Sequence, residues 1–489
     1  MSGPGLNWRF IVKVLGMILI MESFFILLAS AVSFIYHEPD SKYLLISVGL
    51  SLLFGLILVF SGNFAEKSNV VGKRDSFFTV TVAWLLFSLF GSIPFFISGS
   101  IPSFTNAFFE TMSGFTTTGS SILTNVESMP HGLMFWRCMT QWLGGLGVVV
   151  FTLALLPLYG GGASQLFDAE TTGLFHDKFR PRVVEVAKRI WGIYMAFTLV
   201  LILLFYLGPM ELYDAICHAM TTISTGGYST KQNSIAYWGS TYLEFVVIIF
   251  MIIGAINFSL YYFLFKKNFK RVLHDEEVRW FLSIIVVATV IIMVGLGVTN
   301  QEMGHFESFR NSLFHVVSLV TTTGFSTQDY IAWGPFFWLI LLVLMVICGC
   351  AGSTSGGLKV IRVVVLVKNA LNEFGRLIHP RAIIPVRLNG HVLSIDIVQR
   401  LLAFAFLYLV VILFAVMALL FVGMGFDEAV GAAITALGNV GPGLGNYGPS
   451  GSFAELSDVA KWILSFLMLV GRLELFTVLI LFTPGFWKK

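Results

Sequence analysis

The feature that most constrains this chain is a short Thr- or Gly-rich turn that recurs four times within a very apolar sequence. The copies read FTTTGSS, ISTGGYS, VTTTGFS and GNVGPG, and each holds a glycine at the same place: Gly119, Gly227, Gly324 and Gly441. Thirteen residues before each glycine stands a polar residue that a small residue follows; these are Asn106, Asp214, Asn311 and Glu428. These polar residues at one offset predict four helix starts, and thus four short helices that each enter after a cap and end at the turn.

The second copy contains two adjacent glycines, so its alignment is ambiguous by one position. Gly227 is preferred to Gly226 because His218 and His315 then occupy the same place in their copies. Glu110 stands at that place in the first copy. All three side chains are expected to pack and hydrogen-bond behind the turns rather than to bind an ion.

The composition indicates a polytopic membrane protein. Hydrophobic residues make up 56% of the chain and charged residues 12%, and the mean hydropathy is +0.85, whereas about a quarter of the residues of a soluble globular protein are charged. Ten apolar runs of membrane-spanning length begin near residues 11, 43, 77, 134, 190, 243, 281, 335, 401 and 459. The first run is expected to be a retained helix, because no small-residue cleavage site follows it.

Lys and Arg residues predict the orientation of the chain in the membrane. Most of the 30 lie in the N-terminal stretch, at the C-terminal end, or in loops 62–76, 157–189, 266–280 and 359–400. The opposite loops hold mainly Lys42, Arg137, Lys231, Arg310 and Lys461. Both termini are therefore expected in the cytoplasm, with the four turns dipping in from outside. This asymmetry accounts for the net charge of +3, so no nucleic-acid partner is indicated.

The chain divides into an N-terminal helix pair, residues 1–70, and four units of similar length: 71–157, 182–265, 278–370 and 396–485. Each unit consists of a helix, a re-entrant segment with its turn, and a second helix. A unit of this size cannot bury its polar turn alone. The predicted fold class is therefore an all-α polytopic membrane protein in which four pseudo-repeats surround one pore.

The turns are predicted to line that pore because non-helical backbone at membrane depth must be buried in protein or face a water-filled cavity. Their carbonyl oxygens can replace part of the water shell of an ion. Glycine admits backbone angles closed to other residues, and the carboxyl ends of the short helices bring partial negative charge towards the turns. Both features favour a cation. Ordinary extracellular turns are the alternative for any single copy.

Three further segments carry a resemblance to a known family: CGCAGSTSGGLKVIR at Cys348–Arg362, KFRPRVVEVAKRIWGIY at Lys178–Tyr194 and VGRLELF at Val470–Phe476. With them the chain resembles the TrkH potassium-transport subunits of the Trk/Ktr/HKT superfamily over essentially its whole length. The resemblance implies potassium uptake across a bacterial inner membrane by a homodimer. It also implies a cytosolic nucleotide-binding ring of the TrkA type as partner, beside the lipid bilayer, and K⁺ as the transported ion with no organic cofactor.

Members of this family coordinate potassium through backbone carbonyl groups of the turns. The resemblance assigns that role to Thr117, Thr118 and Gly119; to Thr225, Gly226 and Gly227; to Thr322, Thr323 and Gly324; and to Asn439, Val440 and Gly441. The fourth turn departs from the others in Asn439 and Pro442, so its carbonyl geometry is the least determined by the sequence.

A gate is expected in the third repeat, where residues 349–357 place GCAGSTSGG near mid-membrane. Each Gly weakens a helix by roughly 1 kcal/mol relative to Ala, which favours an unwound loop. By resemblance this loop is the intramembrane gate beneath the filter, formed by Gly352, Ser353, Thr354, Ser355, Gly356 and Gly357. A small-residue seam for close helix packing is the alternative.

Arg472 is a second gate candidate because it stands near the middle of an apolar run, 462–482. A charge there costs at least about 2.5–3.5 kcal/mol. Glu474 is only two residues away, and such residues do not face each other on a helix. The hypothesis is that Arg472 projects into the pore and repels cations, as the family's matching arginine does. A structural pair with a buried carboxylate is the alternative.

Two other functional classes compete with a channel-like uptake protein. A proton- or sodium-coupled symporter would place ionisable residues in the central spans, and the sequence offers chiefly Arg472 and Glu474 there. A membrane enzyme would need a carboxylate pair or a nucleophile with its base, and no clear set is present. No GxxxxGK[ST] sequence occurs either, so a nucleotide would have to act through the partner.

Overall fold

The computed structural model describes residues 6–64, 71–145, 147, 183–265, 268–299 and 304–488. The predicted continuation of the first repeat to residue 157 and most of the predicted loop 157–189 lie outside the described residues. Helices are numbered below in chain order within the described part.

The N-terminal pair comprises α1 (Trp8–Ile35) and α2 (Ser41–Phe64), which pack along their length. Glycine permits the close approach, because a Cβ atom at Gly55 would lie 2.9 Å from the carbonyl oxygen of Gly16. Small residues at a helix contact are the usual means of packing within a membrane.

The four repeats each contribute a long first helix, a short helix and a second helix. The first helices are α3 (Lys73–Ile97), α6 (Val183–Leu207), α11 (Glu276–Thr299) and α15 (Ile395–Phe421). The short helices are α4 (Phe104–Phe115), α7 (Leu212–Ile223), α12 (His305–Val320) and α16 (Phe426–Gly438). The second helices are α5 (His131–Gly145), α8 (Thr241–Ala255), α13 (Pro335–Ile347) and α17 (Asp458–Arg472).

The remaining elements are short except for the amphipathic helix α14 (Val360–Ile378), which has 19 residues. The other helices are α9 (Phe258–Phe265), α10 (Phe269–Leu273), α18 (Leu475–Leu479) and α19 (Pro484–Trp487). Strands β1 (Arg387–Leu388) and β2 (His391–Val392) form an antiparallel hairpin. Single 3₁₀ turns span Ser234–Trp238, Tyr330–Trp333, Gly445–Tyr447 and Ile480–Phe482.

The polar residues thirteen positions before the filter glycines lie in the first turn of the short helices in repeats one, two and four, as predicted, whereas the prediction was wrong for the third repeat. Ser103 caps α4 by accepting a hydrogen bond of 3.4 Å from the amide of Asn106, which is the third helical residue. Glu428 holds the same place in α16 and accepts from the cap residue at 3.4 Å. Asn311 lies well inside α12, which begins at His305. A polar third residue that reaches back to the cap explains the pattern in the fourth repeat.

Six helices in the described residues are long and apolar enough to cross a membrane: α1, α2, α3, α6, α11 and α15. A seventh span counts α17 together with 475–482, which bends by 115° at the break. The second helices of repeats two and three are shorter than these spans, with 15 and 13 residues, and end at Ala255 and Ile347. The sequence predicted a break only in the third repeat.

The break after α8 has a local cause. The last carbonyl oxygens of α8 accept hydrogen bonds from the loop of the third repeat: Ala255 O from Cys350 N at 2.9 Å, and Gly254 O from Thr354 N at 3.3 Å. Buried backbone groups require partners, and these bonds come from outside the helix. The loop therefore replaces the next helical turn of a neighbouring repeat.

Candidate cation filter and gate

The four turns form a closed ring. A Cβ atom at each filter glycine would collide with a carbonyl oxygen of the following repeat, in the order Gly119 with Gly226, Gly227 with Thr323, Gly324 with Val440 and Gly441 with Thr118. The fourth repeat thus returns to the first. All four glycines also line one cavity. The turns therefore surround a common axis, and each one contacts the next through its backbone.

Glycine is required at these positions for two reasons. The φ angles of Gly119, Gly227, Gly324 and Gly441 are 85°, 81°, 78° and 112°, in the left-handed region that other residues avoid. The space where a side chain would begin is already filled by the neighbouring carbonyl. The angle of Gly227 matches that of the other three, which supports the register chosen for the second turn.

Each short helix ends in the same hydrogen-bonded motif. Two positions before each glycine the chain adopts a left-handed conformation at a residue other than glycine, with φ angles of 54°, 52°, 61° and 54° at Thr117, Thr225, Thr322 and Asn439. In the first repeat the amides of Thr117 and Thr118 donate back to Gly114 O and Ser113 O, both at 2.9 Å. These are the two bonds of a Schellman cap, and the other three repeats have equivalent bonds.

This cap determines which groups of the turn remain available. The amide N–H groups are used by the helix, so they do not present donors to an ion. The adjacent carbonyl oxygens of Thr118, Gly226, Thr323 and Val440 are the ones that meet the neighbouring repeats around the ring. Carbonyl oxygens without competing amide donors suit a cation. Threonine in the left-handed region costs roughly 1–2 kcal/mol, whereas Asn439 accepts that conformation more readily.

The residues nine positions before the filter glycines hold the turns from behind, as the sequence analysis expected. His218 Nε2 lies 2.8 Å from Ser229 Oγ, and His315 Nε2 lies 3.0 Å from Gln328 O. Glu110 accepts from the amide of Ile122 at 2.8 Å. In each case a side chain on the short helix fixes the segment that leaves the turn.

Glu110 also forms a buried ion pair. Its Oε1 lies 2.7 Å from Arg137 Nε, and the guanidinium stacks 3.5 Å from the ring centre of Tyr228. Arg137 in addition donates to Ser229 O at 3.1 Å. The first repeat is thereby tied to the segment after the second filter turn.

Loop 348–359 lies against one face of the ring, called the inner face below. Thr225 Oγ1 donates to Thr354 Oγ1 at 3.1 Å, and Gly356 N donates to Thr322 Oγ1 at 3.1 Å. A Cβ atom at Gly356 would lie 2.8 Å from Oδ1 of Asn439. The loop therefore contacts the left-handed residues of the second, third and fourth turns.

The loop has the irregular backbone that its glycine content predicts. Left-handed φ angles occur at Cys348, Gly352, Gly357 and Lys359, with values of 62°, 71°, 69° and 75°. Ser355 Oγ donates to Thr321 O at 2.8 Å. Ser353 instead donates within the loop, to Cys350 O at 2.5 Å. Of the six predicted gate residues, Thr354, Ser355 and Gly356 contact the filter turns directly.

Arg472 supplies the contact between the loop and the first turn. Its guanidinium donates to Thr117 Oγ1 at 3.2 Å and to Thr354 O at 2.6 Å. It also donates to Gly144 O at 2.6 Å and Gly145 O at 3.2 Å, at the described end of α5. The charge thus lies between the first turn, the gate loop and the end of α5.

Glu474 does not form its ion pair with Arg472. It pairs with Arg362 at 2.6 Å, and Arg362 stacks 4.0 Å from the ring centre of Phe404. Lys359 donates to Ser355 O within the loop. Three cationic side chains therefore contact the backbone of the gate loop: Arg472, Lys359 and Arg362.

Two contact residues were missed by the sequence analysis. Glu277 Oε1 accepts from the amides of Ala351 at 2.7 Å and Ile361 at 3.2 Å, one on each side of the gate segment. Gln141 contacts the second filter turn. Gln141 stands within an apolar run, whereas Glu277 follows Asp275 and Glu276 at the start of a span and resembles an ordinary solvated acidic segment.

The fold and the ring define a class of membrane protein in which four covalently linked repeats each contribute one turn to a closed ring. The chain belongs to the TrkH family, described as a cation transport protein, whose model matches residues 50–489. It is 36% identical over 487 residues to the Trk system potassium uptake protein TrkH of Escherichia coli K12, covering 99% of this chain and all of that protein.

Two further comparisons agree. The Trk system potassium uptake protein TrkG of Escherichia coli K12 is 35% identical over 431 residues, covering 87% of this chain and 88% of that protein. The crystal structure of the potassium transporter TrkH from Vibrio parahaemolyticus superposes with a TM-score of 0.87 at 33% identity, covering 98% of this chain and 99% of that one. The resemblance inferred from the motifs is thus confirmed at the level of the family.

Proposed function

We propose that this chain conducts potassium ions through the ring of turns, for uptake across a bacterial inner membrane. The observation that carries the proposal is the cyclic contact of four glycines with four carbonyl oxygens. Carbonyl oxygens in such a ring can replace the water shell of a dehydrated cation. The relatives' names, which specify potassium, support the choice of ion.

The ion-coordinating set in this proposal is the backbone of residues 117–119, 225–227, 322–324 and 439–441. Transport is driven by the membrane potential, which supplies about 2.3 kcal/mol per charge per 100 mV. No bond is made or broken in the process, so the proposed activity is transport rather than catalysis.

Residues 352–357 and Arg472 form the gate in this proposal. The loop and the arginine together contact all four turns from the inner face. An ion leaving the ring on that side would meet the loop backbone and a positive charge. Opening therefore requires two changes. The loop must move away from Thr225 and Thr322, and Arg472 must break its hydrogen bond to Thr354.

The same proposal places both termini in the cytoplasm, as the Lys and Arg distribution favours. It includes a homodimer and a cytosolic nucleotide-binding ring of the TrkA type, which would supply the force that moves the loop. Support for these partners comes from the family resemblance. Exposed basic residues on the predicted cytoplasmic side, among them Arg381, Arg387 and Arg400, offer charge for contact with protein or lipid headgroups.

Flux in proteoliposomes tests the function. The purified chain is reconstituted, a potential is imposed with no pH gradient, and uptake of rubidium, sodium and protons is compared. Rubidium uptake that follows the potential and greatly exceeds sodium uptake is the expected result. Saturable uptake that requires a pH gradient would instead favour a proton-coupled symporter. Absence of rubidium uptake by folded protein, both alone and with the TrkA-type partner added, would contradict both.

A further inference from the structure

Gln141 bridges two repeats at the filter. It lies on α5 of the first repeat and its side chain is fully buried. Its Nε2 donates to Gly226 O at 2.6 Å, and its Oε1 accepts from Tyr228 N at 2.9 Å. The two bonds fall on either side of Gly227, so one side-chain amide fixes the second filter turn across its central residue.

Gly226 O is one of the four carbonyl oxygens of the ring. It lies where a Cβ atom of Gly119 would stand. Of the four ring oxygens, Gly226 O is the one that accepts a hydrogen bond from a side chain within the described residues. The ring is therefore fourfold in its backbone but not in its hydrogen bonding.

The residue type at this position distinguishes the first repeat. Gly144, Gly254 and Gly471 mark the same level of their helices, because a Cβ atom at each would approach the last turn of the short helix of its own repeat, at Phe115, Ile223 and Leu437. Three residues before these glycines stand Gln141, Met251 and Met468. Methionine cannot donate a hydrogen bond, so only the first repeat of these three can hold a filter carbonyl in this way.

Two physical effects of this bond favour a larger ion. A carbonyl oxygen tied to a rigid helix cannot move inward to close around a small cation. An oxygen that already accepts an N–H also offers a weaker field to an ion, and low field strength disfavours the ion that is more costly to dehydrate. Both effects act against sodium relative to potassium.

We propose that Gln141 is a specificity-determining residue that favours potassium over sodium by positioning Gly226 O. This inference rests on the proposed function, since it assigns a cause to the selectivity of the same ring. Gln141 acts through the carbonyl group and is a positioning residue. The role requires both the Nε2 donor and the Oε1 acceptor.

Two variants separate these contributions. Gln141→Glu keeps an acceptor for Tyr228 N but replaces the donor to Gly226 O with a second acceptor, which repels the carbonyl. Gln141→Met introduces the residue found at this level in repeats two and four and removes both bonds at similar length. Thr198→Val is the matched control, because it removes the 3.2 Å bond from Trp142 Nε1 on the same helix without touching the filter.

The measurement is the ratio of rubidium to sodium uptake by full-length protein in proteoliposomes. Both Gln141 variants are expected to lower the ratio about tenfold, the equivalent of about 1.4 kcal/mol, while Thr198→Val leaves it unchanged. Potassium protection against thermal unfolding in detergent, compared with sodium protection, gives a second readout that does not need flux. Loss of the potassium preference in that assay supports the proposal in any variant that conducts poorly.

An unchanged uptake ratio in folded Gln141→Met and Gln141→Glu overturns the inference. If either variant does not fold, Gln141→Asn, which keeps the amide but cannot reach both partners, takes its place under the same criterion. The wild-type protein tests the proposed function independently of the role of Gln141. A wild-type chain without potassium preference contradicts the proposed function, whereas a selective wild type with equally selective variants contradicts only the role of Gln141.

Discussion

Arg472 Nη1 donates to the carbonyl oxygen of Thr354 at 2.6 Å, and the same nitrogen lies 3.2 Å from Thr117 Oγ1. One guanidinium therefore joins the gate loop of the third repeat to the filter turn of the first. Thr354 also contacts Thr225 of the second turn at 3.1 Å. The arginine therefore adds the first turn to the turns that the loop contacts on the inner face.

Arg472→Ala is expected to raise rubidium uptake about tenfold. The change removes a positive charge from beside the first turn and charge-assisted hydrogen bonds worth about 1.5–3 kcal/mol each. Arg472→Lys keeps the charge but loses the forked donor geometry, so its uptake should lie between those of the alanine variant and the wild type. Proteoliposome uptake at a fixed potential measures both.

The control for Arg472 is Arg376→Ala, which removes a partly exposed ion pair with Glu373 on α14. Such pairs contribute little to stability, and Arg376 hydrogen-bonds to Asn369, Glu373 and Ile384, none of which belongs to the ring or the gate loop. Unchanged or abolished uptake in a folded Arg472→Ala protein would argue against a barrier role for the arginine.

Glu277 is expected to stabilise the gate loop in its position against the filter. Its Oε1 binds the amides of Ala351 and Ile361, so its removal leaves two buried donors without partners, at a cost of about 1–3 kcal/mol each. Glu277→Ala should therefore increase uptake and make it less dependent on any regulatory partner. Glu277→Gln keeps an acceptor and should have a smaller effect.

Uptake by the two Glu277 variants is compared with uptake by Glu373→Gln, an exposed carboxylate outside the gate. Equal uptake in wild type and Glu277→Ala, with both folded, would mean that the loop position does not depend on this carboxylate. A gain in Glu277→Ala that Glu277→Gln does not share would identify the acceptor oxygen as the cause.

The hydroxyl groups of the left-handed threonines provide a third test. Thr322 Oγ1 accepts from Gly356 N at 3.1 Å, a bond worth about 1 kcal/mol. Thr322→Val removes the hydroxyl at constant shape and should raise uptake about fivefold, the factor that corresponds to that energy. Thr322→Ser keeps the bond and should behave as wild type. A raised uptake in the serine variant would assign the effect to packing.

The fourfold repeat could be predicted from the sequence because the glycine of each turn has no substitute. A left-handed φ combined with a neighbouring carbonyl in the Cβ position leaves only that residue. The membrane class followed from the composition, and the family followed from the turns together with three further motif segments. Asn439 illustrates how far the pattern extends. It looks like a departure among threonines, yet its φ of 54° matches that of Thr117, and asparagine tolerates this conformation well.

Contacts between repeats could not be predicted, because they depend on which segments meet in space. The apolar run continues past Ala255 to Ile256, and Asn257, which accepts from Ser259 N at 2.9 Å, is the one local signal of a new helix start; the approach of Cys350 and Thr354 to the end of α8 has no sequence signal. Gln141 has its partners in the second repeat, and Glu277 has its partners 74 and 84 residues further along its own repeat. Their roles are set by the three-dimensional arrangement and leave no local pattern.

The buried pair of Arg137 and Glu110 predicts a large effect on stability. Both side chains are almost fully buried at 2.7 Å separation, and removal of one partner of such a pair costs about 3–5 kcal/mol because a charge remains uncompensated. Glu110→Ala should therefore lower the thermal unfolding midpoint in detergent markedly, whereas Glu373→Ala should not. A small shift in both would mean that water or another group compensates Arg137.

The closed ring itself is tested by two alanine substitutions at glycines with similar backbone angles. Gly227 has a φ of 81°, and its Cβ position is occupied by the carbonyl oxygen of Thr323; Gly239 has a φ of 54°, and its Cβ position is open. Both variants carry the backbone strain of roughly 1–2 kcal/mol, but only Gly227→Ala also displaces a filter carbonyl. Gly227→Ala should abolish the preference for rubidium over sodium, while Gly239→Ala should retain it at a modestly lower thermal midpoint. If folded Gly227→Ala keeps the preference, ion selection does not depend on the contact between the second and third turns, because the strain common to both variants has been controlled.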